Sequence, residues 1–154
     1  KAKKLNYNPA IILAGRKIND QMSHYVVNNL SKALRQKKIL LKKSRILIMG
    51  LTFKENCPDI RNSKVIDIAK NLHKKGSIIE CYDPWVRQID NINIRNIKFI
   101  SFPKKSYYDC ILLAVAHNNI KNIGINTIRG FAKSHGIIYD LKHIFPKDKT
   151  DIRL

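Results

Sequence analysis

Four short apolar runs restrict the fold of this chain more than any other feature: Arg45–Met49 (RILIM), Ser77–Tyr82 (SIIECY), Asp109–Ala116 (DCILLAVA) and Gly136–Asp140 (GIIYD). Each is nearly continuous in apolar character rather than alternating, which is the pattern of a strand covered on both faces. The segments between them carry helical patterning. Asn62–Lys75 reads as a helix closed by Gly76 at its C′ position, and Thr127–Ser134 as a helix stopped near Gly136. Ile97–Ser101 reads as one further short strand. Buried strands alternating with helices give the fold class: α/β, a Rossmann-like parallel sheet flanked by helices, preceded by a long N-terminal helix.

That first helix is read from Ile11, Ile18, Met22, Tyr25, Val26, Leu30, Ala33 and Leu34, which recur at steps of three and four between Asn8 and Lys37. Asn8 suits the N-cap and Pro9 the first helical position. Such a helix is about 42 Å long at 1.5 Å per residue. Its apolar stripe needs a cover, either a second subunit or the body of the same domain.

The 154 residues are enough for one domain with a core, at 44% hydrophobic. With 30 Lys and Arg against 11 Asp and Glu, the net charge of +19 points to an anionic partner: nucleic acid, membrane surface or a phosphate-bearing small molecule. Through Arg45 there are 12 basic residues and a single acidic one, Asp20. The sequence lacks an apolar span of membrane length and a signal-peptide layout, so a soluble, cytoplasmic protein without membrane insertion is expected. It begins at Lys1 rather than Met, consistent with a processed start or a piece of something longer. Cys57, Cys81 and Cys110 have neither disulfide-framework nor zinc spacing, and no metal site is expected.

Ligands of open parallel sheets bind beyond the carboxyl ends of the strands. The richest such segment is Gly50–Arg61, GLTFKENCPDIR, which supplies a glycine for a tight exit, the aromatic Phe53 and the cations Lys54 and Arg61 ahead of a helix start. Phe53 could pack on a base or sugar, and Lys54 and Arg61 could meet phosphate or hydroxyl oxygens. The competing reading pairs Lys54 and Arg61 with Glu55 and Asp59 on a solvated loop. Neither the GxGxxG fingerprint nor a Walker A loop is present. Asp83, after the second long strand, occupies a position used in dinucleotide folds for ribose hydroxyls, although Pro84 turns the chain there and Trp85 suits a lid or packing role. His117 follows the most apolar strand and reads either as a ligand-orienting group or as a hydrogen-bonded cap. Cys57 is the single cysteine in an electropositive setting, with no nearby base. No catalytic residue is assigned.

Several of these segments resemble one family. Ala14–Met22 on the long helix, GLTFKENCPDIRNSKV at Gly50–Val65, YDPW at Tyr82–Trp85, LAVAH at Leu113–His117 and YDLK at Tyr139–Lys142 resemble the UDP-glucose/GDP-mannose dehydrogenase family. NCPDIRN and LAVAH are most similar to its UDP-N-acetylhexosamine 6-dehydrogenase branch, which serves surface polysaccharide synthesis. The resemblance implies an enzyme in three parts: a domain for NAD, a central helical region that dimerises, and an α/β domain for the UDP part of the substrate. On that basis residues 1–43 are the end of the dimerisation region and 44–154 the UDP-sugar domain. Phe53 and Lys54 match substrate-contacting positions. Lys142 falls where relatives often carry the arginine of a DGR sequence, again on the substrate side. Arg61 matches a position that reaches NAD held by the other domain, and Arg16 a dimer or inter-domain surface.

The GxGxxG domain and a glycine-flanked catalytic cysteine are missing from these 154 residues. The implied whole enzyme oxidises the C6 hydroxyl of a UDP-N-acetylhexosamine to a carboxylate with NAD, as a homodimer, while this piece alone is inactive. Rival readings are a basic nucleic-acid-binding module and a purely structural dimerisation domain. Against the first, aromatics are 8% of the chain and no helix-turn-helix, KH or RNP signature is present, so no nucleic-acid partner is expected.

Overall fold

The computed structural model describes residues 9–86 and 97–154. Among these residues six strands form one sheet: β1 (Arg45–Met49), β2 (Ile78–Tyr82), β3 (Ile97–Phe99), β4 (Tyr108–Leu113), β5 (Ala132–Asp140) and β6 (Ile152–Arg153). Their order is β3-β2-β1-β4-β5-β6, and every neighbouring pair is parallel. The chain builds outward from β1 to β3, then returns to the other side of β1 to lay down β4. The topological switch therefore lies between β1 and β4.

Four helices cover the sheet: α1 (Ala10–Gln36), α2 (Lys64–Lys74), α3 (Asn118–Ile123) and α4 (Ile125–Phe131). Alternate residues of β1 face opposite layers. Ile46 and Ile48 pack with Val26, Leu30 and Leu34 of α1 and Ile68 and Leu72 of α2. Leu47 and Met49 pack with Ile120 of α3 and Ile128 and Phe131 of α4. Both layers are apolar, which is why the strand reads as an unbroken hydrophobic run.

Local chemistry fixes the ends of α2. Ser63 is its N-cap, its hydroxyl accepting from Val65 N–H at 3.3 Å. At the other end Gly76 adopts φ +89°, where a side chain is strained, and donates to the His73 carbonyl at 2.8 Å. The expected helix over Asn62–Lys75 is thus trimmed to the residues between its caps. The last helix and strand shift in the same way: α4 ends at Phe131, and β5 begins at Ala132 rather than Gly136.

The expected cap of the first helix is corrected. Pro9 itself stands at the N-cap rather than at the first helical position, and makes no side-chain cap bond; Asn8 lies outside the described residues. The apolar stripe of α1 also divides. Val26, Val27, Leu30 and Leu34 are buried against the domain, while Ile11, Ile12, Ile18 and Tyr25 are exposed. Among the described residues, the C-terminal half of the helix is covered on this stripe and the N-terminal half is not.

Candidate functional site

A cavity of about 570 Å³ opens at the carboxyl ends of β1 and β4, the position that the strand order marks out. The loop after β1 contributes Thr52, Phe53, Lys54 and Glu55, and the start of α2 contributes Asn62, Ser63 and Lys64. Ala114 and Val115 come from the turn after β4, Leu141 and Lys142 from the turn after β5, and Asn19, Met22, Ser23 and Val26 from α1. Leu154, the last residue, completes the rim.

The geometry of the β1 exit depends on Gly50. Its φ is +86°, and a Cβ there would lie 2.6 Å from Val115 Cβ and 2.8 Å from Val115 N. Beyond it the loop is held by two buried side chains from two other segments, Asp83 and His117. The Asp83 carboxylate accepts at Oδ2 from the backbone N–H groups of Leu51 (2.6 Å) and Thr52 (3.0 Å), and at Oδ1 from Trp85 N–H (2.8 Å). His117 accepts the Asn56 N–H at Nδ1 (2.9 Å), which leaves the proton on Nε2, where the Thr52 hydroxyl lies at 2.9 Å and Asp83 Oδ2 at 3.2 Å. The Trp85 ring stacks on His117 with centroids 6.3 Å apart. Burial by itself would raise the Asp83 carboxyl, but the His117 ring and the Leu51 and Trp85 N–H groups outweigh it and hold it below the ordinary value of 3.8. Asp83 and His117 are therefore loop-holding groups, and the carboxylate that resembles a ribose ligand is already saturated by protein donors.

Phe53 and Lys54, adjacent in the loop after β1, and Lys142, far along the chain after β5, are brought to one cavity. Phe53 is 60% exposed, leaving an aromatic face open to the cavity. Among the described residues, no ion pair engages the ammonium of Lys54 or of Lys142; Glu55 reaches Lys121 at 3.9 Å instead. Lys142 is set by Asp140, fully buried, which accepts from the Lys142 and Phe145 N–H groups at 3.1 and 3.0 Å.

Arg61 stands apart. It is not among the cavity residues, its side chain is 85% exposed, and its guanidinium donates to both oxygens of Asp59 at 3.0 and 2.9 Å. Those bonds and the Arg61 backbone N–H hold the Asp59 carboxyl down at about 2. The ion-pair reading of the loop thus applies to Arg61 and not to Lys54. Cys57 does not line the cavity, and Cys81 and Cys110 are buried with their thiols pushed well above the ordinary value by burial. Arg16 borders a second, polar recess of about 440 Å³ with Asp20 and Lys64, which pair at 2.8 Å. Sequence reasoning missed the α1 wall, Asn19 to Val26. Its signal was present in Met22 and Val26 on the apolar stripe, but the polar Asn19 and Ser23 carried none, and neither did Leu154.

A parallel sheet with a cavity across its switch point, walled by two unpaired lysines, an exposed aromatic ring and the N-terminus of α2, defines a Rossmann-type α/β domain equipped for an anionic ligand. Residues 47–147 match the UDP-glucose/GDP-mannose dehydrogenase family, UDP binding domain, and the chain belongs to that family. It is 46% identical over its whole length to the UDP-N-acetyl-D-glucosamine 6-dehydrogenase of Pseudomonas aeruginosa and 44% identical to that of Salmonella typhi, covering 36% of each. It is 29% identical, over 89% of its length, to a UDP-N-acetyl-D-mannosamine dehydrogenase of Methanococcus maripaludis, of which it covers 31%. The chain therefore spans about a third of the length of these relatives. Its fold matches a UDP-glucose dehydrogenase structure from Pyrobaculum islandicum (TM-score 0.77, 18% identity, 99% of this chain and 33% of that one). A UDP-D-ManNAc dehydrogenase structure from Pyrococcus horikoshii matches at TM-score 0.73, 22% identity, with 95% and 33% covered.

Proposed function

We propose that this chain is the UDP-sugar-binding portion of an NAD-dependent UDP-N-acetylhexosamine 6-dehydrogenase. In the whole enzyme the sugar C6 hydroxyl becomes a carboxylate for surface polysaccharide synthesis in the cytoplasm. Residues 44–154 hold the UDP-sugar and residues 1–43 end a dimerisation region. The reading rests on one observation above the others: Phe53, Lys54 and Lys142 converge on a single cavity at the switch point. The two ammonium groups and the start of α2 suit a diphosphate, and Phe53 suits the flat face of a base or sugar. Lys142 supplies charge without the planar fork of an arginine, so it meets phosphate as a point charge.

The residues present do not build a nicotinamide site. The sequence has no GxGxxG, and Arg61, the position matched to NAD contact, is committed to Asp59 on an open surface. The redox chemistry is therefore assigned outside this chain, Arg61 contributing at most one cation from the rim, and the 154 residues alone are inactive. Homodimerisation is assigned to the exposed half of α1, where Ile11, Ile12 and Ile18 lack a cover among the described residues.

Calorimetric titration with UDP tests the binding assignment. Saturable binding is expected, weakened about tenfold by Lys54→Ala, as for loss of one charge-assisted contact of ~1.4 kcal/mol. No heat at millimolar UDP would count against a UDP site in this chain.

A further inference from the structure

Six exposed lysines gather at the end of the sheet opposite the cavity. The turn joining α1 to β1 reads KKILLKK, Lys37 to Lys43, and its four lysines are all exposed. The turn joining α2 to β2 adds exposed Lys74 and Lys75 beside it, the two turns being tied by the Lys43 N–H donating to the Gly76 carbonyl at 2.7 Å. Neither turn contains a carboxylate, and among the described residues no ion pair engages any of the six lysines. Both turns precede their strands, so this pole faces away from the cavity at the strands' carboxyl ends.

Leu40, between the two lysine pairs in sequence, is 81% exposed, and Ile78 at the start of β2 is 50% exposed. The outward position of Leu40 is built in. Ile39 and Leu41 on either side turn inward onto the core, and Leu41 is pinned by its carbonyl, which accepts from the Ser44 hydroxyl at 2.7 Å and the Ser77 hydroxyl at 2.9 Å. Lys38 and Lys43 adopt φ +59° and +68°, a backbone that non-glycine residues rarely take and that the surrounding bonds impose here. The turn thus holds an aliphatic tip out into solvent between two pairs of exposed lysines, Lys37-Lys38 and Lys42-Lys43.

We propose that this pole docks the protein on an anionic lipid surface, with the lysines at headgroup phosphates and Leu40 reaching the headgroup boundary. Lysine attraction to an anionic leaflet and shallow burial of an aliphatic side chain are the two ingredients of peripheral membrane binding. Nucleic acid fits the same charge but not the aliphatic tip, since single strands are gripped by aromatic stacking and duplexes by hydrogen-bonding side chains. Docked this way, the cavity points away from the bilayer and stays open to solute. The surface is independent of what the cavity binds.

Co-sedimentation of the chain with vesicles is the test, using phosphatidylglycerol mixed into phosphatidylcholine against phosphatidylcholine alone. Binding is expected for the anionic vesicles only, falling with added salt and roughly fivefold for each of Lys42 and Lys43 changed to Ser. Leu40→Ser, exposed and remote from the cavity, should weaken vesicle binding with net charge unchanged and leave the far-UV spectrum unaltered. No pelleting with anionic vesicles at low salt, indifference to Leu40→Ser, or a shift of duplex DNA without vesicle binding would each overturn the proposal.

Discussion

Gly50 and Asp83 show how much of the site depends on single atoms. A methyl group on residue 50 meets Val115 at 2.6 Å, at a φ that already strains any L side chain, so Gly50→Ala should cost about 2–4 kcal/mol. An unchanged urea midpoint would refute this. Asp83 works through charge as well as shape. Its folded-state pKa is depressed below 3.8, so the unfolded chain binds its proton more readily than the folded one. The stability it supplies is complete above that ordinary value and is lost as pH falls through the folded value. Asp109 is depressed too: burial raises it, and the Arg45 N–H with the Lys133 ammonium more than compensates. The chain should therefore be markedly less stable at pH 3 than at pH 7 by urea denaturation. Asp83→Asn should be weaker at pH 7 by about 1–3 kcal/mol, from backbone donors left without an acceptor, and should lose less on acidification. An equal pH 3 to pH 7 difference in both proteins would remove Asp83 from that account.

At the scale of the element, the stripe of α1 divides between a buried half and an exposed one. Its second half belongs to the core, where Leu30 is fully buried, so Leu30→Ala should lower stability by about 2–5 kcal/mol. Its first half exposes Ile18, and Ile18→Glu should leave the unfolding midpoint of the isolated subunit nearly unchanged while reducing self-association in sedimentation equilibrium. A monomer at every concentration for the unsubstituted chain would sink the dimer assignment. Periodicity placed this helix correctly but could not divide the stripe, because the same three-and-four spacing serves a core and an interface. Strand β1 was legible to the residue, whereas β4 proved shorter than its apolar run. Ala114 and Val115 leave the ladder and donate to the Met49 carbonyl at 2.9 and 3.4 Å while lining the cavity. Helix α3 went unread because its sequence NNIKNI offers one buried residue, Ile120, and no period.

For the whole molecule, ligand linkage supplies the broadest check on the binding site. If UDP occupies the cavity, then at about 100 times its Kd it should stabilise the chain by ~2.7 kcal/mol, seen as a raised thermal midpoint that Lys54→Ala diminishes. Adenine nucleotides that raise it equally would remove uridine selectivity. The α/β class, the parallel sheet, the choice of the Gly50–Arg61 loop and the candidates Phe53 and Lys54 could be read locally, whereas Lys142 came from the family resemblance. Burial on two faces leaves a continuous apolar run, and strand exits in such sheets are where ligands sit. What could not be read locally was every relation between distant segments. The strand order puts β4 against β1, so the exits of those strands share a cavity, and α1 lies across it as a wall. Arg61, two residues from Asp59, was captured by that neighbour, whereas Lys54 beside Glu55 was not, because the loop turns their charges apart. Asp83 and His117 could be read as ligand groups or as structural ones until the fold gave Asp83 three backbone donors and His117 the Asn56 N–H. Side-chain type states what a residue can bond to; only the packing of segments far apart in sequence selects which partner it has.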